Sequence, residues 1–177
     1  MNVVVFGDST ANGQCVSPHL CWVTLLSAAL TDALVVNVSV SGDTTRTALL
    51  RMAHDVPASD VLIVQFGLND CNRWISEYGA NRVSERAFAA NLAEIADRSR
   101  SHNVVFIANH RTRRDIDYDV RAADYNGIIR TVARETGAGL VDMEAVPVPL
   151  LDGIHPSVTG HERYAATVLP AIQSLLG

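Results

Sequence analysis

Short apolar runs rich in β-branched residues alternate along the chain with stretches whose apolar residues recur every three to four positions. The runs are Val3–Phe6, Leu34–Val40, Val61–Phe66, Val104–Ala108 and the brief Leu140-Val141, and continuous apolar character of this kind predicts strands buried on both faces. Between them lie five helical patterns. Ser17-Pro18 introduces one that ends near Leu30, with Trp22, Leu25, Leu26 and Ala29 on its apolar face. A short one covers Thr44 to Ala53. Ser84 caps the next, which runs to about Arg100 with Phe88, Leu92, Ile95 and Ala96 inward. Tyr118 to Thr136 presents Tyr125, Ile128, Ile129 and Val132. Ser157 caps the last, Val158 to Leu176, with Tyr164, Val168, Leu169 and Ile172 inward. Strict β-α alternation predicts a parallel sheet with helices on both faces, joined by right-handed crossovers.

With 177 residues and 48% hydrophobic composition, the chain suits one domain spanning residues 1–177. Its net charge of −5 supplies no basic field, which argues against nucleic acid as a partner. All 14 basic residues are arginine. The three cysteines, Cys15, Cys21 and Cys71, form no CxxC pair and predict neither a disulfide framework nor a zinc site. No apolar run reaches the roughly 18 residues of a membrane span. Together with a first strand that begins at residue 2, this predicts a cytoplasmic protein.

In an open parallel sheet, ligands bind where the loops leave the carboxyl ends of the strands. Four such loops carry Gly7-Asp8-Ser9, Ser41-Gly42-Asp43, Gly67-Leu68-Asn69-Asp70 and Asp152-Gly153-Ile154-His155. A serine hydroxyl needs a base to become a nucleophile, and a histidine base needs a carboxylate on its other ring nitrogen. Ser9, His155 and Asp152 supply those three parts. The backbone N–H of Ser9, the backbone N–H of Gly42 and the side-chain amide of Asn69 are candidate donors to a developing oxyanion. Singly, each motif has a plainer reading: Asp8, Ser9 and Thr10 as helix caps, Gly42 as a turn, Asn69 as an Asx-turn, and Asp152 with His155 as a surface turn. Gly7 is expected to permit the turn after the first strand, and Asp8 to hold the loop.

The four blocks, in this order, resemble those of the SGNH hydrolases, also called the GDSL esterase/lipase superfamily, over nearly the whole chain. One departure is that Thr10 replaces the leucine of the eponymous motif. The resemblance implies a three-layer α/β/α, flavodoxin-like doubly wound fold with a five-stranded parallel sheet. It further implies Ser9 as nucleophile, His155 as base, Asp152 as its orienter, and an oxyanion hole from Ser9, Gly42 and Asn69. A small-molecule ester is the expected substrate, small acyl groups on a soluble carrier being favoured because the loops are short and no lid segment is evident. The same triad serves thioester hydrolysis and acyl transfer. No cofactor and no metal are expected.

Other classes remain open on the residues alone. Ser9-Thr10-Ala11-Asn12-Gly13 loosely fits a flavin-phosphate loop, and an inactive binding module would share the fold. Around the core site, Arg73 and Trp74 are candidate substrate contacts on the long loop from Gly67 to Arg82. Arg111 and Arg113, near His110 and Arg114, are either solvated or an anionic handle on the substrate. Asp70 is expected to orient the Asn69 loop, Asp43, Thr44 and Thr45 to cap the second helix, and His161 to serve packing or hydrogen bonding.

Overall fold

Period-two alternation is what lets one strand serve two cores. In β1 (Asn2–Gly7), Val4 and Phe6 enter one hydrophobic cluster while Val3 and Val5 enter the other. β3 (Ser59–Gln65) divides in the same way, with Leu62 and Val64 on the first face and Val61 and Ile63 on the second. The computed structural model describes residues 1–73 and 79–176. With β2 (Leu34–Asn37), β4 (Ser101–Ala108) and β5 (Gly139–Asp142), these strands form a wholly parallel sheet in the order β2-β1-β3-β4-β5. The chain is therefore an α/β protein with the flavodoxin-like strand order, and the order reverses between β1 and β3.

Helices cover both faces. α3 (Thr45–Asp55), α4 (Glu85–Arg98) and α5 (Ile116–Thr136) close the first core, in which Phe6 meets Phe66 edge-on at 5.2 Å. α2 (Trp22–Ala29) and α6 (Val158–Leu176) close the second, where Trp22 stacks on Tyr164 at 5.8 Å. Truncating a fully buried aromatic such as Phe6 to alanine costs about 3–5 kcal/mol. Among the described residues, no helix is long and apolar enough to cross a membrane.

Three details depart from the sequence expectation. The polar stretch after β1 is itself a helix, α1 (Ser9–Asn12), capped by Asp8 through a bond from the Thr10 N–H at 3.0 Å. The helical stretch expected from Ser17 to Leu30 is split. A 3₁₀ turn (Pro18–Leu20) is followed by extended Cys21, and only then does α2 begin. Tertiary bonds explain the break: the Trp22 N–H reaches His161 Nδ1 at 3.2 Å, and the Cys21 thiol donates to Ala11 O at 3.3 Å. The second strand ends at Asn37 rather than Val40, yet its backbone still follows β1. Val38 N–H bonds to Val5 O and Val40 N–H to Gly7 O, carrying the chain to Gly42 at the same sheet edge.

Candidate functional site

Ser9 is the first residue of α1, directly beyond the carboxyl end of β1, and is 8% exposed. Gly7 brings it there by being small. A Cβ on Gly7 would lie 2.8 Å from Gln65 O and 2.9 Å from the Ala11 Cβ, so crowding between β3 and α1 demands glycine. The residue carries no positive φ, so the requirement is one of space.

The second residue set comes from a turn after β5. Pro149 O accepts the Ser157 N–H at 2.8 Å and His155 O accepts the Leu151 N–H at 2.9 Å, which closes a short loop around residues 150–156. Within it, Asp152 Oδ1 accepts the N–H groups of Ile154 and His155 at 3.0 and 2.7 Å, and Oδ2 lies 2.7 Å from His155 Nδ1. Burial works against the Asp152 charge, but the bonds from the His155 ring and the two N–H groups outweigh it and hold the carboxyl down to about 2. An ionised carboxylate only accepts, so His155 Nδ1 carries the proton. Nε2 then presents its lone pair to Ser9 Oγ, 3.1 Å away. Asp152, His155 and Ser9 thus form one continuous chain of hydrogen bonds.

Gly42 and Asn69 lie on loops that touch the start of this region, Asn69 against Asp8 and Gly42 next to Ser41, whose Oγ accepts from Asn12 Nδ2 at 3.0 Å. Gly42 has φ +84°, a conformation strained for any side chain, and a Cβ there would meet no described residue within 4 Å; backbone conformation requires glycine. Neither the Ser9 N–H nor the Gly42 N–H donates to a described residue. Asn69 Oδ1 accepts from Arg82 Nη1 at 3.3 Å, which turns its amide nitrogen toward Asp8, with Nδ2 3.5 Å from Asp8 Oδ2. The same guanidinium donates through Nη2 to Gly42 O at 3.1 Å. Arg82 therefore ties the Gly42 loop to the Asn69 loop. It went unnoticed in the sequence because it closes a long loop and belongs to no motif.

Buried carboxylates brace this half of the site. Asp70 Oδ1 accepts the Thr45 N–H at 2.9 Å and the Thr45 hydroxyl at 2.5 Å, which joins the Asn69 loop to the start of α3. Burial raises Asp70 to about 6 against these bonds. Burial likewise raises Asp8 to about 7, partly opposed by the Thr10 N–H and reinforced by Asp70. Thr44 caps α3 through a capping box with Thr47, and Asp43 pairs with Arg51 at 2.6 Å.

The histidine loop has its own brace. His110 follows β4 and is wholly buried; burial holds it down to about 4, so its ring is neutral. A carbonyl only accepts, so Nε2–H donates to Ile154 O at 2.7 Å, leaving Nδ1 to accept from Tyr164 Oη at 2.6 Å. Arg113 N–H adds a bond to Gly153 O at 2.7 Å. The guanidinium groups of Arg111 and Arg113 belong to exposed residues on this flank, and among the described residues neither pairs with a carboxylate. Arg73 is half-buried in an isolated bridge with Asn81, and Trp74 lies outside the described residues. His161 is buried and accepts from Trp22, a structural role as expected.

Residues 5–163 match the model of the GDSL-like lipase/acylhydrolase family. Esterase TesA of Pseudomonas aeruginosa is 26% identical over 189 residues, covering 98% of this chain and 89% of that protein. Among solved structures, the lipase/acylhydrolase from Enterococcus faecalis superposes with TM-score 0.82 at 23% identity, covering 98% of this chain and 95% of the other. An acetylxylan esterase from Geobacillus stearothermophilus gives TM-score 0.77 at 21% identity over 97% and 93% of the two chains.

Proposed function

The chain belongs to the GDSL-like lipase/acylhydrolase family and is a serine hydrolase acting on esters, and from that premise we propose that it cleaves small acyl esters through an acyl-enzyme on Ser9. The observation that carries the proposal is the unbroken path from Asp152 through His155 to Ser9 Oγ. Nε2 takes the Ser9 proton as Oγ attacks the carbonyl carbon. The imidazolium that forms is stabilised by Asp152, which is already ionised. Negative charge on the carbonyl oxygen meets the N–H groups of Ser9 and Gly42 and the Asn69 amide, each such donor being worth roughly 3–4 kcal/mol in the transition state. Collapse expels the alcohol, which takes its proton from Nε2. Water then repeats the sequence on the acyl-enzyme and regenerates Ser9.

Arg82 is a positioning residue in this scheme. Its bond to Asn69 Oδ1 keeps the amide nitrogen, rather than the oxygen, available to the oxyanion, and its bond to Gly42 O holds that peptide.

The small-acyl assignment rests on openness. A Cβ built on Gly42 would meet no described residue within 4 Å, and Asp152 is exposed rather than enclosed. A soluble carrier such as a sugar or metabolite fits an open rim better than a lipid chain, which needs a buried apolar slot. The experiment that tests this pairs fluorophosphonate labelling with p-nitrophenyl esters of increasing chain length, acetylated saccharides and acyl thioesters. Labelling on Ser9, loss of nearly all activity in Ser9→Ala (on the order of 10⁶-fold in kcat) and decline beyond short acyl chains are expected. An active Ser9→Ala enzyme refutes the acyl-enzyme, and preference for long chains or thioesters refutes the substrate class.

A further inference from the structure

Cys15 belongs to no part of the hydrolytic scheme, yet it sits against it. The residue is exposed and lies in the turn that follows α1, the helix that begins with Ser9. Bonds from Gln14 N–H to Ser9 O at 3.0 Å and from Val16 N–H to Gly13 O at 3.3 Å fold that turn back on the helix, with Cys15 at φ +73°. There a Cys15 sulfur, an Asp152 carboxylate oxygen and a His155 ring nitrogen all lie within 4.8 Å of one another. Among the described residues this is the one grouping of three or more His, Cys, Asp or Glu ligand atoms so close together.

We propose that Cys15, Asp152 and His155 form a binding site for Zn²⁺ or a similarly borderline-soft divalent cation, and that its occupancy switches the hydrolase off. The donor set fits the ion. Thiolate, imidazole and carboxylate are its three commonest protein ligands, at about 2.3, 2.0 and 2.1 Å, and a tetrahedral site leaves a fourth position for water. Such bond lengths put ligand atoms roughly 3.3–3.8 Å apart, so the sulfur closes in from its place within 4.8 Å, and Asp152 Oδ2 and His155 Nδ1, 2.7 Å apart, open slightly where both bind the ion. Both loops are already held by backbone bonds, so little ordering remains to be done at binding. The thiol proton leaves to solvent as the ion binds, no electron is transferred, and binding therefore weakens as pH falls.

Inhibition follows from either ring nitrogen, and this step rests on the reading of His155 as base. Coordination at Nε2 occupies the lone pair that would take the Ser9 proton. Coordination at Nδ1 moves the proton held there to Nε2, which then has no lone pair left to take the Ser9 proton. The ion is thus an inhibitor competing with the reaction, not a cofactor.

The test is a Co²⁺ titration of the metal-free protein, read by the near-ultraviolet charge-transfer band of a cobalt–thiolate bond. Cys21 and Cys71 are buried, so the band reports Cys15. The band is expected in the unmodified protein and in Ser9→Ala, and is expected to vanish in Cys15→Ser. Hydrolysis of p-nitrophenyl acetate is then measured against Zn²⁺. Cys15→Ser keeps its metal-free activity and needs about tenfold or more Zn²⁺ for half inhibition, while a chelator restores the unmodified enzyme. Absence of the band in the unmodified protein, or equal Zn²⁺ sensitivity of the two proteins, overturns the proposal. Because the cobalt band does not depend on turnover, a band in an inactive Ser9→Ala protein separates the fate of the metal site from that of the acyl-enzyme.

Discussion

Ser9 is almost buried at the tip of a central strand, whereas Asp152 is exposed in a surface turn well beyond the end of β5. The serine half is rooted in the sheet: β1, β3 and the continuation of β2 deliver Ser9, Asn69 and Gly42 to one edge, at the point where strand order reverses. Its braces are ionisable side chains, with Asp70 and Arg82 spanning the loops and Asp8 taking the Thr10 N–H and, at 3.5 Å, the Asn69 amide. The histidine half sits on the long loop after β5 and is held from behind by neutral groups, His110 just past the end of β4, Tyr164 and the Arg113 backbone. The contrast suits the division of labour. Oxyanion donors have to be fixed before charge develops, because their value lies in needing no reorganisation. The base has to exchange a proton with two partners in turn, and a turn at the surface tolerates the small shifts this requires.

The sharpest way to break that comparison is at Arg82. Replacing Arg82 with alanine removes the shared anchor of Asn69 and Gly42, and kcat is expected to fall by about 10- to 100-fold, less than the loss of a direct oxyanion donor, with KM little changed. Arg82→Lys, which cannot reach both acceptors as a fork, is expected to fall between. Steady-state kinetics decide it: a rise in KM at constant kcat would make Arg82 a substrate contact and leave the serine half braced by something else.

On the other half, His110→Phe leaves Ile154 O and the Tyr164 hydroxyl unpaired in the interior. Each such orphan costs about 1–3 kcal/mol, so the melting temperature is expected to drop by several degrees. The kinetic loss, about tenfold, should fall on kcat as the His155 loop loosens. A stability loss with kcat intact would show that the loop is held without the clasp.

The smallest effect concerns the charge on the serine half. Folded Asp8 titrates near 7, above an unfolded aspartate, so its protonated form favours the fold. That contribution is complete below about pH 4 and is lost as pH rises through about 7. Asp8→Asn keeps an acceptor for the Thr10 N–H and cannot ionise. Its melting temperature is expected to vary less between pH 5 and pH 8 than that of the unmodified protein, by a few degrees. Identical pH profiles from calorimetry would mean that Asp8 does not titrate in this window.

Alternating patterns and strand-end motifs made the layered α/β class, the parallel sheet, the buried faces of α4, α5 and α6 and the family legible before any coordinates. Ser9, Gly42, Asn69, Asp152 and His155 could be picked out for the same reason: in a parallel sheet every strand's carboxyl end faces one edge, so topology alone gathers the loops. Val3 to Phe6 announced β1 because burial on both faces leaves no room for polar residues. By contrast, Trp22, His161 and Cys21 broke the expected helix through bonds to distant residues, which local propensity cannot register. The second strand stopped early because Asn37 spends its side chain on Ser39 N–H and Ala11 O at the sheet edge.

What the sequence determined by itself was the five strands, the long helices α3 to α6 and the chemical inventory at their ends, because hydrophobic period and capping act over a few neighbouring residues. Only the tertiary structure decided that Arg82 grips two loops at once, that His110 is a buried clasp rather than part of a solvated arginine loop, and that Cys15 lies beside Asp152 and His155. Each of these depends on the closing of loops between residues far apart in the chain. Such contacts are set by how the layers pack, and no local pattern records them.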